Sequence, residues 1–146
     1  VEEAGQILKL QYLCFQSQAA LYRDYSLPPL TQTLRELLRE YDHKEILAAR
    51  LGGEIVGSVR AEMEAGVCSI QRLIVHPKLQ GTGLGSRLMR EIEAGFPGAD
   101  SFGLCTGHKS GPSLRLYRGL GYEAYREEAE SPSVTLIHMR KPNLGE

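Results

Sequence analysis

The run Leu73-Ile74-Val75-His76-Pro77-Lys78-Leu79-Gln80-Gly81-Thr82-Gly83-Leu84-Gly85-Ser86-Arg87-Leu88 constrains this chain more than any other. A strand-like apolar run ends at a proline, three glycines follow at alternate positions, and an amphipathic helical pattern begins at once. A strand leading into a helix and then a further strand implies a crossover, and a crossover can place two strands parallel. Without Cβ atoms, glycines let successive backbone N–H groups converge on one point. The helix N-terminus adds unpaired donors and partial positive charge. The segment therefore predicts an anion site suited to phosphate or pyrophosphate. Two better-known loops fail against it. A GxGxxG fingerprint starting at Gly81 needs glycine where Ser86 stands, and a P-loop needs Gly-Lys-Ser/Thr where Gly85-Ser86-Arg87 stands. A ligand-free turn would not require three alternate glycines, which cost backbone entropy.

Periodicity supplies the surrounding elements. Residues 6–21 carry Ile7, Leu10, Leu13, Cys14 and Leu21 near helical spacing. Pro28 and Pro29 are expected to break that pattern, with Pro29 pushing Pro28 into an extended conformation. A second helix follows, capped by Thr31 or by Thr33 with Glu36 as a capping box, with Leu34, Leu37, Leu38 and Tyr41 as its buried stripe. Strands are expected at 46–51, 55–64 and Val67–Val75, joined by Gly52-Gly53 and Ala65-Gly66 into an antiparallel meander. A helix over 83–94 turns Leu84, Leu88, Met89 and Ile92 inward, and a strand over 101–106 comes next. Gly111-Pro112 starts another helix that Gly121 ends, before strands at 122–127 and 134–140. The expected fold is α/β (α+β): a mixed, mostly antiparallel sheet with helices on both faces, residues 1–146 forming one domain.

Composition narrows the function. Hydrophobic residues make up 42% and charged residues 24%, an ordinary globular balance. A formal net charge of -1 gives no electrostatic reason to expect nucleic acid or an anionic membrane as partner. No apolar run approaches the roughly 20 residues of a spanning helix. Cys14, Cys68 and Cys105 lack CxxC spacing, so neither a disulfide framework nor a metal site is expected. They read as small buried hydrophobes in a reducing, cytoplasmic setting.

The glycine segment resembles the GCN5-related N-acetyltransferase (GNAT) family, whose signature Gln/Arg-x-x-Gly-x-Gly/Ala is matched by Gln80-Gly81-Thr82-Gly83-Leu84-Gly85. The family's run-in is present as Val75-His76-Pro77. Its Leu-Tyr-x-x-x-Gly-Phe/Tyr helix end is present as Leu116-Tyr117-Arg118-Gly119-Leu120-Gly121-Tyr122. The likeness covers about residues 46–140. The family's first strand would precede the first helix, and residues 1–5 are too short to supply it.

The resemblance implies acetyl-CoA as cofactor, held in a V-shaped opening between the Val67–Val75 strand and the 101–106 strand. The backbone of Leu73, Ile74 and Val75 would pair with the pantetheine arm. That of Gln80, Gly81, Thr82, Gly83, Leu84, Gly85 and Ser86 would hold the pyrophosphate. The Val75 N–H would stabilise the oxyanion, and Tyr117 would be the general acid. Ser110 stands where the family often has a cofactor-touching Asn, or it simply caps its helix. Cys105 stands where some members place a catalytic Glu. Glu62, Glu64 and His108 are the other candidates for a base acting through water. Lys109, Arg115 and Arg118 are within the region that would approach the cofactor's phosphates. On the acceptor side, the loop of residues 22–31 supplies Tyr22, Asp24 and Tyr25, with Glu62 on the neighbouring strand. The implied partner is a primary amine, a small molecule in the first instance, in a monomer or homodimer. The alternatives are a protein N-terminus or lysine as acceptor, and a noncatalytic acyl-CoA sensor.

Overall fold

The computed structural model describes residues 2–23 and 27–144. Helix α1, Glu2–Tyr22, starts earlier than its apolar spacing suggests. Its inward stripe is Ala4, Ile7, Leu8, Gln11, Ala19 and Tyr22, an i, i+3/i+4 pattern. Leu13 and Leu21 fall off that stripe and remain 47% and 44% exposed, contrary to expectation. The double proline does not hold the chain extended. Pro28 and Pro29 take the first two positions of a short helix, α2, Pro28–Thr31, where no intrahelical N–H is needed. Helix α3, Leu34–Glu40, is capped by Thr33 rather than Thr31. Glu36 N donates to Thr33 Oγ1 at 3.2 Å and Thr33 N donates to Glu36 Oε1 at 2.8 Å. Leu37 is fully buried, whereas Leu34 and Tyr41 are exposed.

Among the described residues six strands follow: β1 Glu45–Leu51, β2 Glu54–Glu64, β3 Val67–Val75, β4 Ser101–Gly107, β5 Glu123–Ala129 and β6 Thr135–Pro142. They form one sheet in the order β1-β2-β3-β4-β6-β5. Only β3 and β4 are parallel; the other neighbours are antiparallel. Helix α4, Leu84–Ala94, makes the crossover, after a 3-10 turn over Pro77–Leu79 that the sequence did not announce. Helix α5, Gly111–Gly119, follows β4. On one face of the sheet Val59, Ala61, Cys68 and Ile70 pack against Leu88, Met89 and Ile92 of α4 and Tyr117 of α5. On the other, Ile55 and Ile74 pack against Ile7, Leu10 and Leu37 of α1 and α3. Gly57 lies where a Cβ would come within 2.9 Å of Leu88 Cδ1, so α4 sits close on the sheet there.

A buried polar network joins the α1 and α3 layer to the sheet, and nothing in the periodicity marks it. Arg60 is 1% exposed. Its Nη2 donates to Gln11 Oε1 at 2.6 Å, and its Nη1 donates to Gln32 Oε1 at 3.2 Å and Glu40 Oε1 at 3.1 Å. Lys44 Nζ reaches Glu40 Oε1 at 3.3 Å and Gln71 Oε1 at 2.6 Å. Gln11 Nε2 closes the circuit on Pro29 O at 2.8 Å. A buried guanidinium is tolerable only with such partners, and losing one leaves an uncompensated charge.

Burial alone would raise the Glu40 carboxyl, but Arg60, Lys44 and the hydrogen bond from Gln32 outweigh it and hold the group below its ordinary 4.5. A lowered folded value means the unfolded chain takes up the proton first. The stabilisation is therefore complete above about pH 4.5 and lost as pH falls through the folded value. Glu40→Gln is expected to cost about 3 kcal/mol at pH 7 in urea unfolding, the low end for breaking a buried pair. The gap between variant and wild type should shrink as the pH is taken below 4, and a gap independent of pH would contradict the ion pair.

Candidate active site

The site begins as a defect in strand pairing. β3 and β4 pair at Val67↔Ser101, Cys68↔Phe102 and Ser69↔Gly103 and no further. Beyond that, β3 stays bonded to β2 as far as Gly57↔Val75, and β4 stays bonded to β6 as far as Gly107↔Leu136. Each strand is held from its outer side while the space between them widens. A bulge accompanies the divergence. From Ser58↔Ile74 to Arg60↔Gln71, β2 advances two residues and β3 three. Arg72 sits in the bulge with φ 54, a left-handed conformation uncommon for a residue with a side chain. The inserted residue shifts the alternation of β3: Cys68 and Ile70 face the α4 layer, and after the bulge Leu73 and Val75 do.

The wedge opens into a cavity of ≈ 290 Å³. One flank is Arg72, Leu73, Ile74 and Val75, the other Cys105, Thr106 and Gly107. Helix α5 contributes Ser113 and Tyr117, α1 contributes Cys14, Phe15, Gln18 and Tyr22, and Pro28 and Pro29 close one side. Gln80 and Ser110 complete the sequence-derived residues it brings together.

Tyr117 is 8% exposed, and its ring meets that of Tyr122 edge to face at 6.1 Å. The two hydroxyls differ. Tyr122 Oη donates to Glu93 Oε2 at 2.6 Å, and Glu93 Oε1 is paired with Lys141 Nζ at 2.8 Å. Tyr117 Oη has no hydrogen-bond partner among the described residues, and its ring lines the cavity. Desolvation, and then the nearby Cys105, push the Tyr117 phenol well above its ordinary value, so it is protonated at neutral pH.

Ser110 does not cap α5 with its side chain. Its Oγ donates to Gln18 Oε1 at 2.9 Å and lies 3.3 Å from Tyr22 Oη. Tyr22 is 5% exposed, and its hydroxyl accepts from Lys109 N at 2.8 Å, so α1 is tied to the start of α5. A Cβ on Gly107 would lie 2.0 Å from Tyr22 Oη, which makes glycine obligatory beside that tie. Asp24 and Tyr25 lie outside the described residues. Glu62 is not in the cavity: it is 3.7 Å from Lys44 Nζ and accepts from Gln71 Nε2 at 3.3 Å. His108 does not line the cavity either, and its Nδ1 accepts from Thr135 N at 3.1 Å. Cys105 departs from the expected buried hydrophobe. The residue is exposed overall, yet desolvation of its thiol and the carboxylates Glu130 and Glu128 raise its pKa, so it is no base at neutral pH. Two charged side chains that the sequence did not single out, Arg72 and Glu130, line the cavity.

Gln80, Gly81, Thr82 and Gly83 form the exposed turn beyond β3. Gly81 and Gly83 have φ 80 and φ 90, and Gly83 is the N-cap of α4. Arg87 N makes the first helical bond, to Gly83 O at 3.1 Å. Among the described residues the N–H groups of Gly81, Gly83, Leu84, Gly85 and Ser86 have no backbone acceptor, which leaves a cluster of donors at a helix N-terminus.

Residues 10–122 match the model of the acetyltransferase (GNAT) family. The chain belongs to that family. It carries an acetyl-CoA-dependent acyltransferase domain. An aminoglycoside 6'-N-acetyltransferase solved with coenzyme A has the same fold at TM-score 0.77 and 16% identity, over 98% of this chain and 92% of that one. A PaiA N-acetyltransferase from Thermoplasma acidophilum, also with coenzyme A, superposes at TM-score 0.73 and 17% identity, over 97% and 93%. The UPF0157 protein YqkA of Bacillus subtilis is 22% identical over 82% of this chain, which spans only 34% of that protein's length. No described helix is long and apolar enough to cross a membrane, and no described cluster of His, Cys, Asp and Glu suits a metal ion.

An ideal Cβ on Gly83 meets no atom within 4 Å, so space is not what demands glycine there; the φ of 90 is. Gly83→Val is expected to re-aim the free amides. Coenzyme A binding by calorimetry should weaken about tenfold or more, matching roughly 1–3 kcal/mol of backbone strain, with the fold kept by circular dichroism. Wild-type affinity would remove the turn from the binding site.

Proposed function

We propose that this domain moves an acetyl group from acetyl-CoA to a primary amine by direct attack in a ternary complex, with a small-molecule amine as acceptor. The observation that carries the proposal is Tyr117, whose hydroxyl is unpartnered among the described residues and which lines a wedge whose strands run past their last shared pair. The residues present fit the cofactor. Free amides at Gly81, Gly83, Leu84, Gly85 and Ser86 suit its diphosphate, and Gln80 and Thr82 complete that turn. Leu73, Ile74 and Val75 offer a strand edge that β4 leaves unpaired, suited to an amide-bearing arm. Gly85 lets the start of α4 pack closely on α5 and β3, since a Cβ there would lie 3.3 Å from Leu116 Cδ2.

When bound, acetyl-CoA would supply a thioester whose acetyl carbon is open to the amine nitrogen and whose sulfur is the leaving group. Tyr117 holds a proton at Oη beside that reaction and hands it to the departing sulfur. Burial favours this protonated form. The amine loses its own proton to water at the cavity mouth, where Glu130 is the one lining carboxylate among the described residues. Tyr22 and Ser110 hold the wall between α1 and α5, and Ser110 takes the Asn-like position at its edge. A cavity of ≈ 290 Å³ roofed by Tyr22, Pro28 and Pro29 supports a small acceptor over a folded protein surface.

Tyr117→Phe is expected to lower kcat about 100-fold in a thiol-release assay, the low end of a general-acid contribution, with coenzyme A affinity nearly unchanged. Unchanged turnover would exclude Tyr117 as the acid. In the wild type, turnover should not fall through phenol ionisation up to the ordinary tyrosine value of 10.0, because the folded group titrates above it. An alkaline fall below that value that vanishes in Tyr117→Phe would contradict this assignment.

A further inference from the structure

We infer that the acceptor amine carries a carboxylate, and that Arg72 is the residue that recognises it. The inference rests on the acetyl-transfer proposal and narrows its substrate to an amino-acid-like class. Two arginines lie close together on the sheet, and they are treated in opposite ways. Arg60 engages Gln11, Gln32 and Glu40 through both Nη atoms, and only its Nε lacks a partner. The Arg72 side chain makes no hydrogen bond and no ion pair among the described residues, although the residue lines the cavity.

Charge counting explains why Arg72 is left over. Arg60, Lys44 and Arg72 share the field of Glu40, but Glu40 is within ion-pair distance only of Arg60 and Lys44. The other nearby acid, Glu62, pairs with Lys44 as well. Glu40 and Glu62 lie within ion-pair distance of Arg60 and Lys44, whereas Arg72 at the cavity wall has only the longer-range attraction of Glu40 and Glu130. Glu130 lines the same cavity without reaching ion-pair distance of Arg72. An arginine desolvated beside a cavity is disfavoured unless something anionic comes to it.

The cofactor's phosphates are an unsuitable match, because their donors are the free amides beyond the end of β3, whereas Arg72 lies within the strand. Its backbone also holds it there. The left-handed φ of 54 at the bulge departs from the pleat, and that conformation is retained at a cost that a plain strand residue avoids. A planar guanidinium matches a carboxylate with two parallel hydrogen bonds. With Arg72 and Tyr117 lining one small cavity, the acceptor would have its amine and carboxylate a few bonds apart.

The test uses product-like probes, which avoids differences in amine basicity. N-acetyl-L-amino acids and their N-acetyl-L-amino-acid amides are titrated calorimetrically into the full chain saturated with coenzyme A. The acids are expected to bind about 10- to 100-fold more tightly than the amides, the range for a charge-assisted hydrogen bond. Arg72→Gln should erase that preference while leaving coenzyme A affinity and amide binding unchanged, and Arg72→Lys should keep part of it. In parallel, kcat/KM for L-amino acids over amines lacking the carboxylate should fall in Arg72→Gln. Equal binding of acids and amides by the wild type would overturn the inference even if the arginine variants fail to fold. So would a carboxylate preference that survives in Arg72→Gln. A chain that does not bind coenzyme A would overturn the acetyl-transfer proposal, and the inference with it. Coenzyme A binding and amine acetylation without carboxylate preference would overturn the inference alone.

Discussion

The whole site depends on two parallel strands ceasing to pair. β3 and β4 are each bonded on their outer edge along their length, so the sheet survives the loss of their shared ladder beyond Ser69 and Gly103. Unpaired backbone groups inside a protein are costly unless water or a ligand satisfies them. An opening of this kind is therefore a standing demand for an extended partner with its own amide groups. The free amides at the start of α4 extend the same demand to an anion. Under the proposed function, the cofactor is held almost entirely by main chain, and side chains nearby are left to deal with the acceptor and the proton.

That division explains the uneven distribution of polarity. The polar network around Arg60 serves the packing of α1 and α3 on the sheet, with partners drawn from four elements. The site side of the same layer is sparsely provided: one unpartnered phenol, one unpartnered guanidinium and one carboxylate line the cavity. Among the described residues, Lys44, Arg60 and Lys141 each reach a carboxylate away from the cavity, whereas Arg72 at its wall reaches none.

Sequence pattern reached the elements whose signals are local. The β3 bounds, the Thr33–Glu36 capping box and the N-terminus of α4 at Gly83 rest on neighbours within a few residues, and all are as expected. Tyr117 was legible because a short motif fixes it, and it does line the wedge. The misses have a common cause. Gln11 and Arg60 look like surface residues until each meets the other across 49 positions. Glu62 looks like a cleft residue until Lys44 and Gln71 claim it. Pro28 and Pro29 depart from the expected extended conformation because a proline that cannot continue a helix is well placed to begin one. Arg72 had no signal at all, since a positive φ at a non-glycine residue leaves no trace in residue type.

The bulge at Arg72 has one more implication, for how such a chain can vary. A single inserted residue reverses which side of the sheet every later position in β3 addresses. Threading Arg72 into the regular pleat, with no residue set aside, would turn Leu73 and Val75 toward α1 and Ile74 toward α4. The pocket wall would be rewritten without changing the identity of any amino acid in it. Which residues wall the pocket is thus decided by whether one residue is set aside from the pleat, and substitutions at Leu73, Ile74 or Val75 repaint the wall without altering which way it faces.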